Sequence, residues 1–573
     1  MKSVVILAKS RPLEFYTLFF LMVFATVVTT GKTIALGLLP LLVYFFFKDS
    51  KAQTAGELLL FCKLFAAIFC LNFLAVFDWD SLGVDMPHPD YHFYAKIASY
   101  FNEFGVENYL NAKHFILENT SFAVPYRSVD TWILAVLNKF LPIADLESVQ
   151  LVYRPLIFTA VSFTFFKLFK SQYSSQILLF VSAILVNFFL ADYFTSWLLR
   201  DEKLALISVS SYHKLWIYYI VFLRLFCSIY KHGWKENTSV VYLALLPLLM
   251  QTTFPVYAVV FLWMIFDYKF YLKNYWLTTA VFLSILYFGL FYYSYQDDQT
   301  AFYTTAPTVI LNSASEIYKA LEEVLIDVGR NGGLVIGSYL VLVLLFLRRK
   351  MRLAIIVWPF LILISGMLLG ILVFPTPNSY QFYLNLLGPV FASLLILLLV
   401  VRERNQYLFQ YAFLAIALVG FIQQQFSVGF YNCQSIWNTD ESTVNRFQKQ
   451  ISEVDFPIGV TYYKQSFDNY NENFNQRGAD ILLYANARLD VVNLRALELS
   501  VFDFSSKNSA IAIWRKQQQL NHSENIEERF LRAFCFRFLF TDCQPHELPS
   551  YLAVRIKPES AILLNGTTFY LLK

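Results

Sequence analysis

Charge is what this sequence has least of. Of its 573 residues only 15% are Asp, Glu, Lys or Arg, against about 25% in a water-soluble domain. Too few charges remain to cover the surface of a soluble fold of this length, and the membrane class follows. Excess charge of one sign is missing too. A formal net charge of +4 with no basic tract argues against a nucleic-acid partner. Cysteine is sparse: six residues, none at zinc-type spacing. Cys62, Cys70 and Cys227 lie in apolar segments and read as packing residues. Cys433, Cys535 and Cys543 lie in a polar C-terminal part, where an odd number permits one disulfide at most. There is no low-complexity tract and no internal repeat of the kind secondary transporters carry. No A-x-A-like cleavage site follows the first apolar run after "MKSVVILAKSRPLEFY", so that run is expected to be a retained first span.

What is abundant is apolar: 57% hydrophobic and 18% aromatic residues. A bilayer-spanning helix needs about 20 mainly apolar residues. By that rule spans are expected near 13–30, 33–47, 57–77, 148–169, 174–193, 211–230, 238–251, 254–267, 276–294, 333–347, 353–373, 381–401 and 407–425. The count is about 11–13, because Pro255 in "QTTFPVY" decides whether 238–267 is one helix or two. Alternate connections are basic: Lys2, Lys9 and Arg11; Lys48 and Lys51; Lys167 and Lys170; Lys231 and Lys235; Lys269 and Lys273; "RRKMR"; "RERN". The positive-inside rule therefore puts the N-terminus in the cytoplasm. It puts 78–147, 194–210, 295–332 and 374–380 outside, with everything after residue 426.

The expected fold class is an α-helical polytopic membrane protein with a small C-terminal extracytoplasmic α/β domain. Residues 1–425 form the membrane domain, with a first large external loop at 78–147, and 426–573 form the second domain. In the latter, "FPIGVTYY", "ADILLYAN", "LDVVNL", "SAIAIW", "FRFLFT", "YLAVRI" and "TTFYLLK" read as strands. "NTDESTVNRFQKQISEV" (438–454) and "ENIEERFLRAF" read as helices, and "ASEIYKALEEVLIDVGRNGG" as an amphipathic helix in the 295–332 loop.

One stretch of the first loop carries chemistry: "MPHPDYHFYAKIA", 86–98. Pro89 suits the first turn of a helix. Phe93, Ile97, Tyr100, Phe101 and Phe104 then fall on one helical face. The segment is too short and polar to span, so it is expected along the outer membrane surface, with Asp90 in its first turn and Tyr94 one turn on. Asp90 there either complements the positive helix end or works on a substrate. A carboxylate at the bilayer lip can take a proton from a hydroxyl acceptor, or hold a divalent cation, while a lipid-linked donor lies in the adjacent membrane.

"PDYHFYAKIA" resembles the P-D-E-x-x-Y-A-x-I-A motif of the polytopic glycosyltransferases that use lipid-linked sugars, the GT-C superfamily with its aminoarabinose transferases and protein mannosyltransferases. The match lies in Pro89, Asp90, Tyr94, Ala95, Ile97 and Ala98, with Tyr91 where the family has a second acid. The resemblance implies that Asp90 is the catalytic base or a metal-associated acid. It further implies a polyprenyl-phosphate sugar donor and a glycan, lipid or protein acceptor. His88, Asp90 and His92, with Asp78, Asp80 and Asp85 nearby, are candidates for a Mg²⁺ or Mn²⁺ site, which would want oxygen ligands and several waters. His88 precedes a proline and leaves the helix, so spacing does not settle whether the three converge.

Sugar transfer from a phosphate carrier also needs a cation where negative charge grows on the leaving group. Arg127 in "PYRSVD", Arg154 in "VYRPL", and Arg200 and Lys203 in "LLRDEKL" are candidates, with Asp201 and Glu202 as a possible second acid. Each cation taken singly is equally an interfacial residue meeting lipid phosphates. The expected activity is an inverting glycosyltransferase at the outer face of a bacterial inner membrane. The competing readings are an O-antigen-type polymerase or ligase, a transporter or flippase of lipid-linked sugars, and a scaffold indifferent to Asp90.

Overall fold

A computed structural model of the chain describes residues 54–78, 83–86, 98, 128–141, 148–190, 215–232, 318, 322, 325, 326, 337, 340, 380–400, 406–426, 431–433, 441–453, 458–462, 490–493, 528, 531, 536–564 and 567–573. These residues are mostly helical, with a small sheet component.

Helix α1 (Thr54–Val76) leads directly into two short strands, β1 (Phe77–Asp78) and β2 (Gly83–Met86). Helix α2 (Ser128–Phe140) follows, then α3 (Arg154–Phe169), α4 (Gln176–Leu185), α5 (Trp216–His232), α6 (Tyr380–Val400) and α7 (Gln406–Phe426). The expected spans at 57–77, 148–169, 174–193, 211–230, 381–401 and 407–425 each coincide with one of these helices. Those at 13–30, 33–47, 238–251, 254–267, 276–294 and 353–373 lie outside the described residues, and 333–347 is described only at Gly337 and Leu340, both helical. Among the described residues two helices are long and apolar enough to cross a membrane, Gly56–Leu74 and Val149–Phe169.

Helix α3 is the axis of the bundle and is packed by α1, α4 and α5. Twelve of its 16 residues are buried, including Phe158, Phe163, Phe165 and Phe169. Its hydroxyls are absorbed locally, since Thr159 Oγ1 donates to the Pro155 carbonyl (2.7 Å) and Thr164 Oγ1 to that of Ala160 (2.9 Å). This i to i−4 back-bonding lets Thr sit inside a dry helix. Helices α1 and α3 run antiparallel. At one end Lys167 Nζ pairs with Glu57 Oε1 at 2.7 Å; at the other, Asn72 Nδ2 donates to the Gln150 carbonyl at 2.8 Å. Gln410 Nε2 ties α7 to the carbonyl of Gln172 in the α3–α4 turn (2.9 Å). The Phe413 ring stacks on Phe165 and Phe189 at 5.5 and 4.9 Å.

Beyond α7 come β3 (Tyr431–Cys433), α8 (Glu441–Ser452), β4 (Ile458–Tyr462), β5 (Asp490–Asn493), β6 (Phe538–Thr541), the one-turn α9 (Ser550–Ala553), β7 (Ile562–Leu564) and β8 (Thr567–Leu571). The order across the second sheet is β5-β4-β6-β8-β7. The β5-β4-β6 pairs are parallel and the β6-β8-β7 pairs antiparallel. Phe447 and Ile451 of α8 pack on one face with Phe538, Phe540 and Phe569. Val460, Tyr462, Leu539, Leu552 and Tyr570 fill the other.

"YLAVRI" is a correction: it starts with the turn of α9 and is not a strand. Leu548, Leu552 and Ile556 recur every fourth residue and are all buried, which is a helical period. Both edges of β8 are already paired, with β6 and β7, so only Ile556 bridges to Leu572. "ADILLYAN" and "SAIAIW" lie outside the described residues. Of "ENIEERFLRAF", Glu528 and Leu531 are described and helical, as are Tyr318, Glu322, Leu325 and Ile326 in the 295–332 loop.

Candidate functional site

The end of the bundle where α1 finishes and α3 begins is built around a proline. Pro155 at the start of α3 has no N–H to give to the Leu151 carbonyl, and its ring crowds that carbonyl. The turn before it relaxes into a π-helix over Val149–Tyr153, a form that recurs at functional sites. The wider turn leaves Gln150, Tyr153 and Arg154 all buried. Arg154 reaches Gln150 Oε1 at 3.5 Å, and its guanidinium lies 5.2 Å from the Phe158 ring centre.

Across from this turn, α2 presents Asp130. Its Oδ1 accepts from the Tyr153 hydroxyl and from Trp216 Nε1 (3.1 Å), the latter at the start of α5. Asp130 is 6% exposed. One carboxylate thus holds together α2, the π-turn and α5. Ser148 Oγ donates to Asn138 Oδ1 at 2.7 Å and fixes the far end of α2 to the same turn. Buried ionisable groups facing the interior of an apolar bundle are rare and mark function more often than packing.

The same end carries a three-stranded ribbon, β1-β2-β3. Its register pairs Val84 with Cys433, Asp85 with Asn432 and Met86 with Tyr431. The segment that leads into "PHPDYHFYAKIA" is therefore hydrogen-bonded to the segment that leaves α7. Val76 and Phe77 pack on Leu151 of the π-turn, which places the ribbon against the polar cluster.

Among the residues expected from sequence, Arg154 is described, and at 3% exposure it is inside the bundle and not at a lipid-facing surface. Asp90, Tyr94, Arg127, Arg200, Lys203, Asp201, Glu202, His88 and His92 lie outside the described residues. Of the motif itself Ala98 is described, helical and fully buried. Among the described residues no group of three His, Cys, Asp or Glu side chains gathers as a metal site would. The sequence reading passed over Asp130 and Tyr153, although both stand inside the short stretches quoted for Arg127 and Arg154. The available signal was an acid in the first turn of an otherwise apolar helix, "SVDTWILAVL", where an unpartnered charge would not be tolerated.

Cys543, at the end of β6, is a free and buried thiol. Its backbone N–H donates to Thr541 Oγ1 at 3.0 Å. Burial pushes the thiol above its ordinary range, and the neighbouring Asp542 carboxylate adds to the shift. It is therefore a packed side chain and not a nucleophile.

Neither the protein-family models nor the curated proteins contain a match to this chain.

Proposed function

We propose that the chain is a polytopic membrane glycosyltransferase that moves a sugar from a polyprenyl-phosphate donor to a hydroxyl-bearing envelope acceptor. The observation that carries the reading is the coincidence at one end of the bundle. The motif with Asp90 follows directly from a ribbon seated on a buried, carboxylate-centred polar cluster. Support for a membrane setting comes from the outward side of α7. Leu408, Tyr411, Leu418, Val419 and Ile422 are exposed there at helical spacing, an apolar stripe that water disfavours and lipid accepts. The positive-inside pattern of the connections supports an outer-face position for this end of the bundle, and a bacterial inner membrane is the setting proposed.

In the proposed step Asp90 takes the proton of the acceptor hydroxyl. The hydroxyl oxygen bonds to the anomeric carbon, and the bond from that carbon to the phosphate oxygen breaks. Its electron pair leaves with the polyprenyl phosphate, and configuration inverts. Arg127, Arg200 and Lys203 are the cations proposed to meet the departing charge, with Asp201 or Glu202 as a second acid. Asp130, through Tyr153 and Trp216, is a positioning residue that holds the first external loop on the bundle.

The test is Asp90→Asn at matched membrane abundance in cells lacking the native copy, with mass spectrometry of surface glycan and polyprenyl-linked sugars. The expected outcome is a product short of one sugar and an accumulated lipid-linked donor. Unchanged glycan and carrier pools would overturn the reading.

A further inference from the structure

β8 runs out among cations. The register that pairs Phe538 with Leu571 puts Arg537 opposite Leu572, and the Leu572 N–H donates to the Arg537 carbonyl at 2.8 Å. On the other side, the bridge between Ile556 and Leu572 puts Arg555 opposite Lys573, whose N–H donates to the Arg555 carbonyl at 2.7 Å. The Lys557 N–H donates to the Leu571 carbonyl at 2.9 Å. Four cations from three neighbouring segments therefore share one end of the sheet, the segments lying about 4.8 Å apart.

That arrangement gains the fold nothing by itself. Like charges directly opposite on paired segments repel, and among the described residues no acidic side chain forms an ion pair with any of the four. Arg555 is half-buried and donates from Nη1 to the Leu531 carbonyl at 2.9 Å; Lys557 is half-buried too, while Arg537 and Lys573 are exposed. The nearest acid along the chain, Glu559, is exposed two residues beyond Lys557. Val554, the neighbour of Arg555, is 66% exposed. Grouped cations with an apolar side chain at their margin match a layer of anionic phosphates over hydrocarbon.

Chain connectivity keeps the sheet close to the bundle. β3 is paired with β2 in the ribbon at the end of the bundle, and only residues 434–440 join it to α8, at most about 30 Å of extended chain. α8 in turn is seated on the sheet, with Phe447 against Phe540 and Phe569 at centroid distances of 5.9 and 5.0 Å. With the bundle in a bilayer, the sheet is leashed within reach of its headgroups.

We propose that Arg537, Arg555, Lys557 and Lys573, with Val554 beside them, dock the sheet on the anionic lipid headgroups of the membrane that holds the bundle. The docking rests on the membrane setting proposed above and needs no transferase chemistry. It turns the repulsion among the four cations into attraction for a phosphate surface, and it fixes the sheet against that surface.

The experiment places the full chain in nanodiscs of phosphatidylcholine, or of equal parts phosphatidylcholine and phosphatidylglycerol, and reads amine acetylation by mass spectrometry. Lys557 should react about fivefold more slowly in the anionic discs, the share of one cation at such a surface. At about 1 M salt, where the screening length is about 3 Å, the difference should vanish. Arg537→Glu with Lys573→Glu, both at exposed positions, should abolish it at ordinary salt with the melting temperature unchanged. Equal reactivity in the two lipids, or a difference indifferent to salt or to these substitutions, would overturn the docking. Slowing by soluble polyglutamate in phosphatidylcholine discs, with none in anionic discs, would assign the cations to an acidic polypeptide and overturn the lipid. A chain that stays out of both discs removes the membrane setting and the docking together. Asp90→Asn should dock like wild type. If it does so while cellular glycans stay intact, the transferase reading fails and the docking stands.

Discussion

In α7 the side chains turned outward are Leu408, Tyr411, Leu418, Val419 and Ile422, while Gln410 is turned in. Around β6 the pattern inverts: Phe538, Leu539 and Phe540 are turned in, and Arg537, Gln544, His546 and Glu547 are turned out. The contrast extends through both regions. The helical part buries Asn72, Asp130, Gln150, Arg154, Ser162 and Asn187. The C-terminal sheet is held by rings, with Phe569 against Phe447, Phe538 and Phe540. Both regions bury rings, and the helical part adds buried hydrogen-bonding side chains that include an acid and an arginine. It is the difference expected if, as proposed, the helical part lies in lipid and the sheet in water. In hydrocarbon, apolar contact between helices gains little and polar groups supply the specificity; in water, removing rings from solvent is the main gain.

The largest effect expected from this contrast is in the sheet. Phe569→Ala removes the ring on which three others pack, at a cost of about 3–5 kcal/mol. Hydrogen exchange should report opening of β6 and β8, with α3 unaffected. Next is Leu418→Asp on the outward stripe of α7. If that stripe meets lipid, a mid-helix carboxylate costs about 2.5–3.5 kcal/mol, read as lost membrane insertion in a fractionation assay. Normal insertion and stability would mean that water, not lipid, faces α7. Asp130→Ala leaves the Tyr153 hydroxyl and Trp216 N–H without their shared acceptor, a loss of about 1–3 kcal/mol. Trp216 fluorescence and thermal unfolding in lipid would show it, and Asp130→Asn, which keeps an acceptor oxygen, should lose less.

The smallest effect concerns Cys543. Its thiol is raised above the ordinary value of 9.0 by burial. Below that value the thiol is protonated in both folded and unfolded chains, and the full stability is present. As pH rises past it, the unfolded chain ionises first and stability falls, until the raised folded value is also passed. Denaturant unfolding of the sheet should weaken from about pH 9 upward, and Cys543→Ala should remove that component.

Helix positions were readable because a length of apolar residues is a one-dimensional property. Six expected spans coincide with described helices, and the amphipathic 438–454 became α8. The polar cluster was not readable, because Asn72, Asp130, the turn holding Gln150 and Tyr153, and Trp216 are far apart in the chain and only the packing of α1, α2, the π-turn and α5 makes them neighbours. "YLAVRI" misled because β-rich composition outweighed a four-residue period over so short a segment.

The sequence by itself determined which segments are apolar enough to form helices, which end of the chain is polar, and that an aspartate opens a surface-helix pattern in the first loop. Those are properties of composition and period. Only the tertiary structure decided that Arg154 faces inward, that β2 pairs with β3 across more than three hundred residues of chain, and that β4 stands between β5 and β6. Long-range pairing and strand order depend on which surfaces fit once all are present, and local propensity carries no record of that.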